Sequence, residues 1–250
     1  MADPIMVMRG IMFATVNLRK EELARYLFAE SGGKVMAGAF KDMVLLEQRS
    51  WASNDSPAKI MGSYESDLHP YLDAMRNRPY SAIVNVGCAE GYYAIGLALR
   101  YPDIPVYAFD IDEKAQLICL EAAFANGVGE RMVIGGMCDP AALNGLLEAT
   151  EFPLLFLDCE AYETTLLNLD TSPKLIQADF IVEAHDFIER SISQTLLQRF
   201  ADTHDLHVVW DGPRNPHMIP ALRLMSSIDA WLAVDEGRPE TMCWIIGLRR

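Results

Sequence analysis

No run of about 18 uninterrupted apolar residues occurs in this 250-residue chain, so no segment reads as a membrane-spanning helix. Met1 to Val16 has neither a basic start nor a small-residue cleavage site, and the expected location is cytoplasmic. Positive charge is scarce. Only 21 Lys and Arg stand against 35 Asp and Glu, a formal charge of -14. Such a chain repels polyanions, which excludes a broad grip on nucleic acid or an anionic membrane and leaves a small molecule as the expected partner. The five cysteines lack CxxC spacing, so they suggest neither a disulfide framework nor a zinc ribbon and read as buried thiols. Internal repeats and low-complexity tracts are also missing.

What is present is organised around residues 81–101. The apolar run Ala82 to Val86 suits a parallel strand covered on both faces. Gly87 and Gly91 bound a tight turn where a side chain would obstruct a ligand. Ile95, Ala98 and Leu99 then recur at helical spacing, and the N-terminus of that helix points its unpaired N–H groups at the turn.

From Ser81 onward, strand candidates alternate with helical stretches. The strands are Ile83 to Val86, Val106 to Asp110, Met132 to Ile134, Leu154 to Asp158 and Phe180 to Glu183. The helices are Tyr92 to Arg100, Lys114 to Asn126, Ala141 to Glu148 and Phe187 to Ala201, with a turn near Tyr162 to Leu169. This alternation predicts right-handed βαβ units and a parallel sheet with helices on both faces. His207 to Trp210 and Met242 to Leu248 are two further strands, with a helix over Ile219 to Ala230 between them. Residues 1–75 differ: a helix over Lys20 to Ala29, a hairpin-like Lys34 to Gln48, a polar loop Arg49 to Gly62 with Trp51 and Asn54, and a helix from Tyr64 to Met75. They are expected to form a cap or lid segment, with 76–250 as the main domain.

Asp110 closes the second strand about 20 residues after Gly91, the place from which a carboxylate accepts hydrogen bonds from ribose hydroxyls. The alternative is that Asp110, or Asp112, caps the helix near Lys114. The turn Gly87-Cys-Ala-Glu-Gly91 lacks the middle glycine of a dinucleotide cradle, and Glu90 adds negative charge where phosphates would lie. A cationic, phosphate-free ligand fits better.

Val84 to Gly91, Phe109-Asp110 and Leu157-Asp158 together resemble the class I S-adenosylmethionine-dependent methyltransferases. Asp158-Cys-Glu-Ala-Tyr-Glu163 and Ile181-Val-Glu-Ala-His185 are similar to the FkbM-type members. The resemblance covers roughly Gly62 to Leu248. It implies a Rossmann-like, seven-stranded, mostly parallel α/β sheet with an antiparallel last strand. S-adenosylmethionine is the implied cofactor: Gly87, Cys88, Glu90 and Gly91 lie around its methionine part, Asp110 at the ribose, and Ile111 with Gly136, Met137 and Cys138 at the adenine. Asn85 stands where the family often has an acid, so it can accept a hydrogen bond from the cofactor's amino group but opposes it with no charge.

Asp158, Glu160 and His185 are the candidate catalytic residues. A carboxylate at a strand end can orient a hydroxyl, and a histidine that titrates near neutrality can remove its proton. Glu163 reads as a solvated first-turn residue and Glu183 as part of the fifth strand's end. Asp158, His185 and Asp186 are the one set that could gather a divalent cation, as in catechol-type relatives, yet no metal is counted among the expected groups. The expected activity is methyl transfer to an oxygen of a small molecule, a sugar or a polyketide-like metabolite. Transfer to nitrogen or to a protein side chain, and a catalytically silent binding protein, stay open, as does a homo-oligomer.

Overall fold

Seven strands form one sheet around Ala82–Val86, every residue of which is buried. The computed structural model describes residues 3–47 and 55–250. In chain order the elements are α1 (Pro4–Ser31), α2 (Ser56–Met61), α3 (His69–Met75), β1 (Ala82–Val86), α4 (Tyr92–Arg100), β2 (Val106–Phe109), α5 (Glu113–Ala125) and β3 (Met132–Gly135). They continue with α6 (Pro140–Ala149), β4 (Pro153–Leu157), α7 (Glu163–Leu166), β5 (Asp179–Ala184), α8 (Ile192–Phe200), β6 (His204–Trp210), α9 (Ser227–Val234) and β7 (Cys243–Arg249).

The strand order is β3-β2-β1-β4-β5-β7-β6. Strands β1 to β5 run parallel, and β7 enters antiparallel between β5 and β6. This is the expected α/β class with its antiparallel last strand. The runs in β1 and β4 are apolar on both faces because helices cover both sides. On one side Leu143, Leu147, Leu166, Leu196 and Phe200 pack against Val84, Leu155, Leu157 and Phe180. On the other, the Tyr93 ring stacks on Phe156 at 4.0 Å, and Trp244 lies 5.2 Å from Phe156.

At the start of β5, the buried carboxylate of Asp179 accepts from the Tyr80 hydroxyl at 2.7 Å and the Arg249 N–H at 2.9 Å, and pairs with Arg78 Nε at 2.5 Å. Burial, then the bond to Asp179, pushes the Tyr80 hydroxyl far up and keeps it a donor. The approach to β1, the start of β5 and the end of β7 are thereby tied together at the end of the sheet remote from the candidate site.

The chain divides into two compact units, residues 1–66 with 213–238, and residues 67–212 with 239–250. Residues 67–75, expected in the cap, belong with the sheet, and 213–238, expected with the sheet, belong with the N-terminal segment. In that first unit Leu23 and Leu27 of α1 pack with Ile60 and Met61 of α2 and with Ala230, Ala233 and Val234 of α9.

Local departures from expectation have local causes. Helix α1 starts at Pro4 instead of Lys20: Asp3 caps it by accepting from the Ile5 N–H at 3.0 Å, and left-handed Gly32 ends it. Its first half is apolar on every side and so carries no helical period for the eye to find. Between 34 and 47 only one bridge forms, Lys34 with Val44. The loop expected over 49–62 falls partly outside the described residues, including Trp51 and Asn54, and its end folds as α2 behind Pro57. Helix α8 begins five residues later than expected, and before α9 only Pro220–Leu222 form a short 3-10 turn where the helix was expected to start at Ile219.

Candidate active site

In an open parallel sheet the ligand crevice lies beyond the carboxyl ends of the strands, where the strand order reverses. Here that point is the end of β1, between β2 and β4. Register sets the neighbours. Val86 pairs with Phe109 and with Leu157, so Gly87, Asp110 and Asp158 emerge side by side. Leu157 pairs with Val182, so Asp158 falls level with Glu183, and His185, two residues on, shares the face of Glu183.

The turn after β1 is held by β2. The N–H groups of Gly87 and Cys88 both donate to the Phe109 carbonyl, at 2.8 and 2.9 Å. Asp110 Oδ2 accepts from the Ala89 N–H at 2.8 Å and Oδ1 from the Asp112 N–H at 2.9 Å. A carboxylate offers about four lone-pair positions, so Asp110 keeps capacity for a ligand after making both bonds. The helix α5 cap is Asp112, whose Oδ1 accepts from the Lys114 N–H at 2.8 Å.

The two glycines turn out to answer the protein's own packing. With φ at 77°, Gly87 passes so close to β4 that a Cβ would stand 1.6 Å from the Asp158 carbonyl oxygen. A Cβ on Gly91, φ 94°, would meet Cys119 Sγ at 2.7 Å. The Cys88 and Cys138 side chains are buried, and Cys138 joins the core under α6. Their thiols are pushed up, Cys88 by its hydrogen bond to Cys119 and then burial, Cys138 by burial to about 12. Only their backbones are available to line a crevice. Ile111 and Met137 are instead 82% and 61% exposed beside Asp110 and the end of β3, and Glu90 is half-buried in the turn.

Asn85 is buried in β1. Its Nδ2 donates to the Phe156 carbonyl at 3.1 Å, and its Oδ1 has no hydrogen-bond partner among the described residues. A buried acceptor without a donor costs about 1–3 kcal/mol, which marks this oxygen as one that a bound donor would satisfy.

The second half of the site is a histidine among four carboxylates. His185 Nδ1 lies 2.6 Å from Glu163 Oε1. Its Nε2 lies 3.4 Å from Asp158 Oδ1, 3.7 Å from Glu160 Oε2 and 3.8 Å from Glu183 Oε2. Burial pulls the imidazole down, but the Glu163 hydrogen bond and the charges of Asp158, Glu183 and Glu163 outweigh it and raise its pKa to about 9. The loop that delivers this group is strained: Glu160 and Ala161 sit at φ 51° and 74°, a conformation costing about 1–3 kcal/mol per residue. Glu163 Oε1 also accepts from the Ala161 N–H at 3.2 Å, so one carboxylate fastens both the strained turn and the imidazole.

Asp158, Glu160 and His185 are thus brought together as expected from their strand ends. Glu163 departs from its expectation as a solvated residue: it is wholly buried and is the hydrogen-bond partner of His185. No sequence signal marked it, because a glutamate in a helix's first turn is ordinarily solvated and its burial here follows from the turn at Glu160 and Ala161. Asp186 turns away and accepts from the Ser193 N–H at 3.0 Å, and Glu183 takes its place in the cluster. Ligand atoms of Asp158, Glu183 and His185 lie within 4.8 Å of one another, close enough to share one divalent cation.

The chain matches no known family description and no curated protein. Its fold is similar to solved structures at low identity. They include the cofactor-bound protein Rv0187 from MTB, 15% identical over 71% of this chain and 75% of that one, TM-score 0.49. The O-methyltransferase TomG from Streptomyces achromogenes, in complex with SAM, is 12% identical over 92% and 89%, TM-score 0.48. An O-methyltransferase from Bacillus cereus, in complex with SAH, is 12% identical over 71% and 77%, TM-score 0.45. Likeness at this level decides nothing about chemistry, which rests on the side chains above.

Proposed function

We propose that this protein transfers a methyl group from S-adenosylmethionine to a hydroxyl oxygen of a small molecule. The observation that supports this most is the division of labour along one sheet edge. On the β2 side of the crevice stands Asp110, bonded to the turn 87–91; on the β5 side stands the His185–Glu163 pair.

The residues present fit the cofactor. Asp110 has lone pairs left for ribose hydroxyls, exposed Ile111 and Met137 offer apolar surface to an adenine, and the unpartnered Asn85 Oδ1 suits a donor such as an amino group. When bound, the cofactor supplies a methyl group on a positively charged sulfur, which needs no covalent enzyme intermediate. An acid-rich crevice favours such a cation and disfavours the pyrophosphate of a dinucleotide.

At the acceptor side the working form of His185 is the neutral one, gained as pH rises through about 9; Glu163 as a carboxylate then requires the proton on Nδ1, which leaves the Nε2 lone pair to take the hydroxyl proton. Asp158 and Glu160 flank that nitrogen and orient the hydroxyl. The acceptors proposed are sugar or polyketide-like hydroxyls, the class that an FkbM-like protein implies.

Calorimetry with S-adenosylhomocysteine and NAD, followed by labelled methyl transfer to a panel of hydroxyl acceptors, tests the proposal. Binding of the first but not the second, with label in an ether product, is expected. Preference for NAD would overturn the cofactor, label on nitrogen or protein would overturn the acceptor, and binding without turnover would leave a silent binding protein.

The same cluster supports a second reading, in which Asp158, Glu183 and His185 hold a divalent cation that fixes the acceptor oxygen. Mixed carboxylate and imidazole donors suit Mg²⁺ or Mn²⁺ less strictly than an all-oxygen set, so the metal must be tested by titration. Tighter calorimetric binding of Mn²⁺ to the wild type than to Glu183→Gln supports it, and equal binding removes it.

A further inference from the structure

Among the described residues the first half of α1 is left uncovered as far as Arg19, which pairs with Asp229. From Pro4 to Arg19 no residue is buried, whereas the second half packs through Lys20, Leu23 and Leu27. Ile5, Met6, Val7, Met8, Ile11, Met12, Phe13 and Leu18 are each between 48% and 70% exposed. Arg9 is the only charge between Pro4 and Leu18.

This stretch cannot rest on its own helical preference. Its length is only just beyond the about 12–15 residues below which even alanine-rich isolated helices are marginal in water. This one carries Gly10 and the β-branched Ile5, Val7, Ile11, Thr15 and Val16, and from Pro4 to Leu18 it has no opposite charges to pair. An exposed, apolar, weakly helical segment of about 24 Å needs a cover.

We infer that the cover is a second copy of this chain, with the first halves of two α1 helices packed on one another across a two-fold axis. Three observations favour this occupant. The face centred on Gly10 and Ala14 carries Met6, Val7, Ile11, Phe13 and Leu18, which expose on the order of 500 Å² of apolar surface, and two such faces packed together bury about 1,000 Å², the lower end of a specific interface. A two-fold contact brings the same patch against itself, and a stretch with one charge and no acid does so without burying a carboxylate; Arg9 sits at the rim. Around Gly10 there is open space, with no atom within 4 Å of a Cβ there, so two helix backbones can approach closely beside Ala14.

A lipid surface fits less well. A helix lying in a membrane interface has one apolar and one cationic face, but Ile5, Met6, Val7 and Met8 at 100° intervals cover every side, and a chain of charge -14 is repelled by anionic lipid. The inference is independent of the methyl-transfer reading.

Light scattering on the size-separated full chain tests it, with a mass twice 27.9 kDa expected. The double variant Met6→Glu/Val7→Glu, on the face of Gly10 and Ala14, should run at half the wild-type mass, with unchanged circular dichroism over the rest of the fold. Hydrogen exchange of the wild type needs no variant: amides 4–18 should be protected at high concentration and lose protection on dilution. A wild type that stays monomeric at about 100 µM, a double variant that stays dimeric, or sedimentation of monomers with zwitterionic or anionic vesicles would each overturn the inference.

Discussion

Glu163 and His185 make a 2.6 Å contact between a wholly buried carboxylate and a buried imidazole, and the other Glu163 oxygen has no partner among the described residues. Pairs of this kind hold a histidine in one orientation and one tautomer. They also raise its pKa, because the charged form is the one the carboxylate favours.

Glu163→Gln should therefore lower the pKa of His185 from about 9, an effect read by NMR titration of the imidazole in chelated, metal-free protein. If turnover needs neutral His185, the acid limb of the rate profile moves down in pH with it. An unmoved titration would mean that Asp158, Glu160 and Glu183 hold the charge without Glu163. The folded value lies above the ordinary 6.5, so this site stabilises the fold fully below about pH 6.5 and loses that contribution as pH rises through about 9. Melting temperature should fall across that window in the wild type and less so in Glu163→Gln.

Asp110→Ala should weaken S-adenosylhomocysteine binding by about 1–3 kcal/mol through lost ribose contacts. Asp112→Ala is the matched control, because it removes the α5 cap and should cost about 0.5–2 kcal/mol of stability with little change in affinity. Equal affinities for wild type and Asp110→Ala would remove the ribose role.

Gly87→Ala should destabilise strongly, by more than ~3 kcal/mol, since a Cβ would stand 1.6 Å from a backbone oxygen at a φ of 77°. Gly136→Ala should be nearly neutral, because its nearest neighbour is the end of the Gln116 side chain at 3.9 Å. Urea denaturation of both variants checks the contrast, and a Gly87→Ala protein as stable as wild type would contradict the close approach of the turn to β4.

These glycines show which parts of the molecule a sequence exposes. The strands were legible because β1 and β4 are buried on both faces and read as unbroken apolar runs, and strand ends then pointed to Asp110, Asp158 and His185. Why Gly87 must be glycine was not legible, because the obstacle is a carbonyl 71 residues away in sequence. Glu163 was missed for a related reason: its burial follows from a strained turn at Glu160 and Ala161, two non-glycine residues with nothing in their identity to announce a positive φ. The first half of α1 escaped because a helix apolar on every side has no period. The described part of 49–62 is a helix because Pro57 starts one as readily as it breaks one.

Asn85→Asp separates stability from binding at a single atom. In wild type the Nδ2 group donates to the Phe156 carbonyl and Oδ1 is left without a donor. An aspartate loses that donation, faces a carbonyl with a second oxygen and buries a charge in β1, so the ligand-free variant should melt lower, by about 1–3 kcal/mol of stability. A cationic amino group next to the same atom would reverse the balance, since a charged acceptor forms the stronger bond. S-adenosylhomocysteine should then bind the variant more tightly than wild type and raise its melting temperature by more. A variant that melts lower and binds no better would place the amino group elsewhere, and the unsatisfied oxygen of Asn85 would then be matched by a bound water.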